Sequence, residues 1–245
     1  TSTSYRIDGI DLARFVAIAG MLVVHASTDL VMLPLERLHP DTVVPAPHGP
    51  YWAEALQGMF SNRARPLFIT LAGFGLGIMA GRRGIATTTI LKRAAFLATA
   101  GIVLIAIGWS DFVLVLYGVM FVMAVGLLRL RNRPLVIVIG ALLLLPAILD
   151  LTVDPDSGWI GVGGIVSEIA CFCAGILIAR HFIAVRAPRA LLLSGAVLAA
   201  PGLAFLAWNQ GLNIFEVTGP RQHVAASTST LGLCVLVIGL CDMLG

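Results

Sequence analysis

Eight apolar runs follow one another along the 245 residues, most of them close to the roughly 20 residues needed to cross a hydrocarbon core. They fall at about residues 9–30, 66–80, 90–109, 112–130, 134–151, 159–182, 190–208 and 223–244. Inside hydrocarbon a backbone must satisfy its own N–H and C=O groups, so runs of this length are helices. The expected fold is all-α: a polytopic transmembrane helix bundle of about eight spans, forming a single domain over residues 1–245. Composition agrees, with 58% hydrophobic and 12% charged residues and a mean hydropathy of +0.96. Soluble domains carry about twice that share of charge. The net charge of +3 therefore speaks to topology and gives no reason to expect nucleic acid.

The basic residues set the direction of insertion. Arg6 precedes the first run, and Arg82, Arg83, Lys92 and Arg93 lie between the second and third. Arg129, Arg131 and Arg133 separate the fourth and fifth, and Arg180, Arg186 and Arg189 the sixth and seventh. The opposite loops hold Asp111, then Asp150, Asp154 and Asp156. This predicts an integral membrane protein with a cytoplasmic N-terminus, expected in a bacterial plasma membrane. Arg37, Arg63, Arg65 and Arg221 fall on the acidic side as exceptions, the first three in one long loop where the rule is weaker. Trp52, Trp109, Trp159 and Trp208 share that outer side, as an interfacial aromatic belt would. The long outer loop also carries His39, His48, several prolines and an amphipathic stretch at residues 51–62. The second run is rich in glycine (Gly73, Gly75, Gly77), which lets helices approach closely.

The first run has some features of a secretory leader: Arg6, an apolar stretch at residues 15–24, and Val24-His25-Ala26 as a loose cleavage site. Asp8, Asp11 and Arg14 crowd its N-side and favour a retained membrane helix. The sequence opens without an initiator Met and stops just after an apolar run, which leaves room for trimming at either end and for more helices in the whole protein. Cys171, Cys173, Cys234 and Cys241 all lie in apolar runs and read as small core hydrophobes. No internal repeat is visible.

Polar residues inside these runs are the candidates for chemistry, because intramembrane charge is costly. Arg14 and His25 lie eleven residues apart on the first run. Eleven helical steps come to about three turns plus 20°, so the two share one face, about 16 Å apart along the axis. Charge topology puts Arg14 toward the cytoplasmic end and His25 toward the outer end. An imidazole can act as general base or acyl carrier near neutral pH. Asp29 is one turn beyond His25 and in reach to orient it, and Glu168, at similar depth in the sixth run, is a second possible partner. The bland alternative leaves His25 and Asp29 interfacial and has Glu168 bonding a neighbouring hydroxyl. Arg14 can fork onto phosphate or carboxylate oxygens, or simply snorkel and pair with Asp11. The cluster Arg82, Arg83, Lys92 and Arg93 can attract an anionic cofactor, although topology alone accounts for it. His48 stands in PAPHGPYW, where prolines fix the backbone and aromatics can cover a site. The chain has no Walker-type glycine loop, no HExxH, no GxSxG and no metal-ligand cluster, which argues against an ATP-driven pump, a zinc protease or a serine hydrolase.

Arg14, ten residues, then His25, in IDLARFVAIAGMLVVHA, resembles the first-helix signature of the acyltransferase-3 family of membrane O-acyltransferases. PLFITLAGFGLGI at 66–78, LKRAAFLATAG at 91–101 and CFCAGILIARH at 171–181 are similar to later segments of the same family. The layout also resembles the heparan-α-glucosaminide N-acetyltransferase-like relatives, in which a first helix with Leu-Asp and Arg-Gly precedes a long outer loop with a catalytic His. IDLARF matches that in part, with Phe15 in place of the Gly.

The resemblance implies a membrane acyltransferase moving an acetyl or other short acyl group from cytoplasmic acyl-CoA, with no metal, to a hydroxyl or amine of an extracytoplasmic glycan or lipid. It implies donor-side roles for Arg14 and for the basic residues Arg82, Arg83, Lys92 and Arg93. The acceptor side would hold His25, supported by Asp29 or Glu168; on the second model His48 takes the catalytic role. The residues also admit a transporter or flippase for a polar lipid or small anion, with Arg14 and Glu168 lining the path, or a non-catalytic membrane scaffold.

Overall fold

The computed structural model describes residues 8–27, 63–83, 86–108, 113–152, 160–185, 188–210 and 220–244. Among them every expected run is a helix and there is no strand: α1 Asp8–Ser27, α2 Ala64–Arg83, α3 Thr87–Ala106, α4 Val113–Leu127, α5 Asn132–Thr152, α6 Ile160–Val185, α7 Pro188–Gln210 and α8 Pro220–Leu244. Four segments are long and apolar enough to cross a membrane: Ala64–Gly81, Thr87–Ala106, Gly164–His181 and Ala226–Met243. Shorter apolar stretches lie in α4, α5 and α7. The outer surface is as oily as the interior, with Phe15 at 68%, Phe96 at 72% and Ile137 at 71% exposure. In water such a surface would aggregate; in a bilayer it is the expected lipid face. The chain is an integral membrane protein.

Helix boundaries follow local chemistry. α2 starts two residues before Pro66, because the missing proline N–H falls among donors that the first turn leaves unpaired anyway. α3 stops at Ala106, short of Trp109, because Gly108 turns to φ +93° and its N–H bonds the Ile105 carbonyl at 3.0 Å. The proposed amphipathic stretch at 51–62, and Asp29, His39, His48, Trp52, Trp109 and Trp159, lie outside the described residues.

Packing rests on small residues at close crossings. α2 and α6 run parallel: Gly73 lies against the Phe172 carbonyl, Gly175 against the Thr70 carbonyl, and Gly77 beside Ile176 and Ala179. α7 and α8 are antiparallel, with Gly195 against Gly232 and Leu236, and Gly239 against Leu191 and Leu192. α3 and α4 are antiparallel through Gly101 with Val115 and Gly118 with Ala98. α1 packs on α2 and α8, and α5 on α6 and α8.

These contacts gather the N-terminal ends of α2, α4, α6 and α8 at one end of the bundle. The other end is basic. Lys92, Arg93, Arg129, Arg131, Arg133 and Arg189 are exposed there. Arg180 instead turns inward and caps α4, donating to the carbonyls of Leu130 at 2.7 Å, Leu128 at 2.9 Å and Leu127 at 3.4 Å, and to Asn132 Oδ1 at 3.2 Å. The Leu127 carbonyl also accepts from the Leu130 N–H at 3.1 Å, so the guanidinium chiefly serves the Leu128 and Leu130 carbonyls at the helix end.

Candidate functional site

Two polar side chains meet where the first turn of α2 and the third turn of α6 come together, and a third, on the second turn of α4, lies within electrostatic reach of both. Arg65 and Glu168 form a two-point ion pair. Arg65 Nη2 donates to Glu168 Oε2 at 2.9 Å, and Arg65 Nε stands 2.6 Å from Oε1. The Nε approach is electrostatic, lying off the N–H axis, so the hydrogen-bond geometry rests on Nη2. Glu168 is 8% exposed. A carboxylate taken this far from water needs a partner, and a forked guanidinium is the most suitable one.

Tyr117 of α4 completes the group. Its ring meets Phe68 edge-on, centroids 5.6 Å apart, and Phe68 is one turn along α2 from Arg65. Both Arg65 and Glu168 lie within electrostatic reach of Tyr117. The residue is 5% exposed, and its hydroxyl has no hydrogen-bond partner among the described residues. Next to Glu168, the Ser167 and Ser227 hydroxyls bond at 2.8 Å and tie α6 to α8. Deeper in, Thr70 donates to the Pro66 carbonyl at 2.8 Å beside the buried Cys171 and Cys234 thiols.

The residues singled out from sequence distribute unevenly. Arg14 pairs with Asp11 at 3.1 Å, both partly exposed, and its guanidinium lies beside Gly75 of α2. That pairing is the local one its spacing allows. His25 lies in the last turns of α1, and Arg82 and Arg83 in the last turn of α2; their side chains are outside the described set. Lys92 and Arg93 are exposed on the first turns of α3, and Arg93 reaches Met79 Sδ at 3.5 Å, which holds the start of α3 to the end of α2. The structure therefore brings Glu168 into a buried site and keeps Arg14, Lys92 and Arg93 away from it. Asp29 and His48 lie outside the described residues. No group of three or more His, Cys, Asp or Glu side chains placed to hold a metal occurs among the described residues.

Sequence reasoning passed over Arg65 and Tyr117. For Arg65 a signal existed: it breaks the positive-inside pattern, while Glu168 is an acid without an obvious partner in an apolar run. Two anomalies of opposite sign, one a basic residue on the acidic side and one an acid in an apolar run, are what a buried pair looks like before folding. Tyr117 gave no signal, because an aromatic in an apolar run is ordinary core.

Chemically, the site offers a fixed positive group, a carboxylate that cancels its charge at rest, and a phenol able to donate one hydrogen bond. It lies at the end of the bundle opposite the exposed basic residues. In a comparison with protein families, residues 6–170 match the heparan-alpha-glucosaminide N-acetyltransferase catalytic domain. The match runs from just before α1 to the Glu168 turn of α6, and so contains Arg14, His25, Arg65, Tyr117 and Glu168. No curated protein and no solved structure matches the chain.

Proposed function

The chain belongs to the heparan-alpha-glucosaminide N-acetyltransferase catalytic family, and on that premise we propose that it transfers an acetyl group across the membrane. The donor is acetyl-CoA on the cytoplasmic side. The acceptor is an amine or hydroxyl of an extracytoplasmic glycan or glycolipid. The observation that carries this reading is the family match over α1 to α6.

The geometry supports a division between two ends. The exposed Lys92 and Arg93, with Arg82 and Arg83 nearby in sequence, offer positive charge to the phosphates of the donor. Arg14 stands between the ends, level with Gly75 of α2. If α1 runs against α2, as α3 does against α4, the His25 turn lies about 16 Å along α1 from Arg14. Arg65 lies about 15 Å along α2 from Gly75. The His25 turn then comes level with the Arg65–Glu168 pair, at the end where the acceptor arrives. His25 takes the acceptor's proton as general base, with Asp29 to orient it; His48, between α1 and α2 in the sequence, is the alternative base.

The test is acetyl transfer from labelled acetyl-CoA to glucosamine-bearing acceptors by the full chain in lipid vesicles, with His25→Ala and His48→Ala beside it. A lost general base lowers the rate by about 10²–10⁴-fold, and the variant that shows this loss identifies the base. Full activity in both variants would remove His25 and His48 as the base. Solute movement by the wild-type chain without acetylated product would replace the enzyme reading with transport.

A further inference from the structure

The Tyr117 hydroxyl has no hydrogen-bond partner among the described residues, whereas Arg65 and Glu168 hold each other. Tyr117 is buried at 5% exposure on α4, held by the edge-on contact with Phe68, and lies within electrostatic reach of a pair whose charges already cancel. A buried hydroxyl left unbonded is a standing cost to the fold. Replacing it with apolar surface would be the cheaper solution if packing were its only task.

The surroundings narrow what it can bond. A permanent anion would meet the Glu168 carboxylate, which already occupies Arg65 through two contacts. A cation would meet Arg65. A neutral carbonyl that becomes negative only during reaction suits the site. It takes one hydrogen bond at rest, and that bond strengthens as charge develops on the oxygen in a dry environment.

We propose that Tyr117 is the oxyanion donor for acyl transfer, its hydroxyl bonding the thioester carbonyl oxygen beside the neutral Arg65–Glu168 pair. This rests on the acetyl-transfer reading above. The acceptor's lone pair attacks the carbonyl carbon and forms the new C–N or C–O bond, and the π pair moves onto the carbonyl oxygen. Tyr117 donates to that oxygen while it is negative. The pair returns, the C–S bond breaks and the thiolate of coenzyme A leaves. The acceptor's proton passes to the histidine base. Tyr117 keeps its own proton throughout.

The test is Tyr117→Phe in the full chain, which removes one oxygen and keeps the ring against Phe68. We expect kcat to fall by about 10²–10³-fold, the loss seen when an oxyanion donor is removed. KM for acetyl-CoA should stay within about threefold, and the thermal midpoint without substrate should be equal or higher, since an unbonded hydroxyl has gone. A kcat within about threefold of wild type would overturn the proposal. So would a loss of kcat that comes with a lowered midpoint, because the hydroxyl would then be structural. A wild-type chain with no acetyl transfer fails the underlying reading and takes the proposal with it; a fully active Tyr117→Phe enzyme fails the proposal alone.

Discussion

Arg65 and Glu168 each look misplaced when read singly. An arginine on the acidic side of a topology and a carboxylate in an apolar run are both costly. Together they are a neutral fork, Glu168 at 8% exposure with Arg65 Nη2 2.9 Å away. The energetics of such pairs are asymmetric. Removing one partner leaves an uncompensated charge and costs about 3–5 kcal/mol, whereas replacing both with apolar groups of similar size is often neutral. Glu168→Ala or Arg65→Ala alone should therefore lower the thermal midpoint sharply in detergent or nanodiscs. The double change Arg65→Met with Glu168→Met should recover most of it while acetyl transfer stays lost. A double variant that is stable and active would show that the pair has no part in the reaction. At this scale the sequence was half legible. Glu168 stood out as an isolated acid. Arg14, equally conspicuous, turned to the neighbour its i−3 spacing offered, Asp11 at 3.1 Å.

At the scale of elements, hydropathy located every helix among the described residues, because length and apolarity decide what spans a bilayer. Which helices pair was not legible, because in lipid the outward face is as apolar as the inward one and leaves no amphipathic stripe to read. Small residues were the only trace. Gly73, Gly75 and Gly77 were visible as a group, but helical spacing separates them. Gly73 and Gly77 share the face on α6, while Gly75 faces Arg14 on α1. A side chain at Gly73 would overlap the Phe172 carbonyl, and one at Gly175 the Thr70 carbonyl. Overpacking of this kind costs about 1–3 kcal/mol. Gly73→Ala and Gly175→Ala should each lower the thermal midpoint. Gly140→Ala, on α5 with nothing within 4 Å of the added carbon, should be neutral or slightly stabilising because Ala favours helix. Equal effects at all three positions would contradict the α2–α6 crossing. Arg180 is the other element-scale device. Its four bonds to the α4–α5 turn predict that Arg180→Ala leaves several carbonyls without their donor, at about 1–3 kcal/mol per buried unsatisfied group. Arg180→Lys, with a single ammonium in place of the fork, should restore only part of the lost midpoint.

Across the whole molecule, the alternation of helices gives two chemically different ends. One holds the Arg65–Glu168–Tyr117 group, and the other the exposed Lys92, Arg93, Arg129, Arg131, Arg133 and Arg189. Positive-inside bias predicts that the basic end faces the cytoplasm. The native cysteines make this directly measurable: Cys171, Cys173, Cys234 and Cys241 are all buried, so the unmodified chain should take up little membrane-impermeant maleimide. Lys92→Cys and Arg131→Cys each add a thiol at an exposed position of the basic end. Both should resist the reagent in intact cells and react in inside-out vesicles. Reaction in intact cells would invert the bundle, and the consequence would reach the mechanism. The Tyr117 end would then open to the cytoplasm, acetyl-CoA would meet it without its acyl arm entering the bundle from the far side, and the acceptor would be an intracellular amine or hydroxyl. With the basic end inside, the proposed mechanism requires the thioester to be drawn most of the way through the helices before it meets Tyr117. Bulky substitutions on the inward faces of α1 and α2 should then raise KM for acetyl-CoA more than KM for the acceptor.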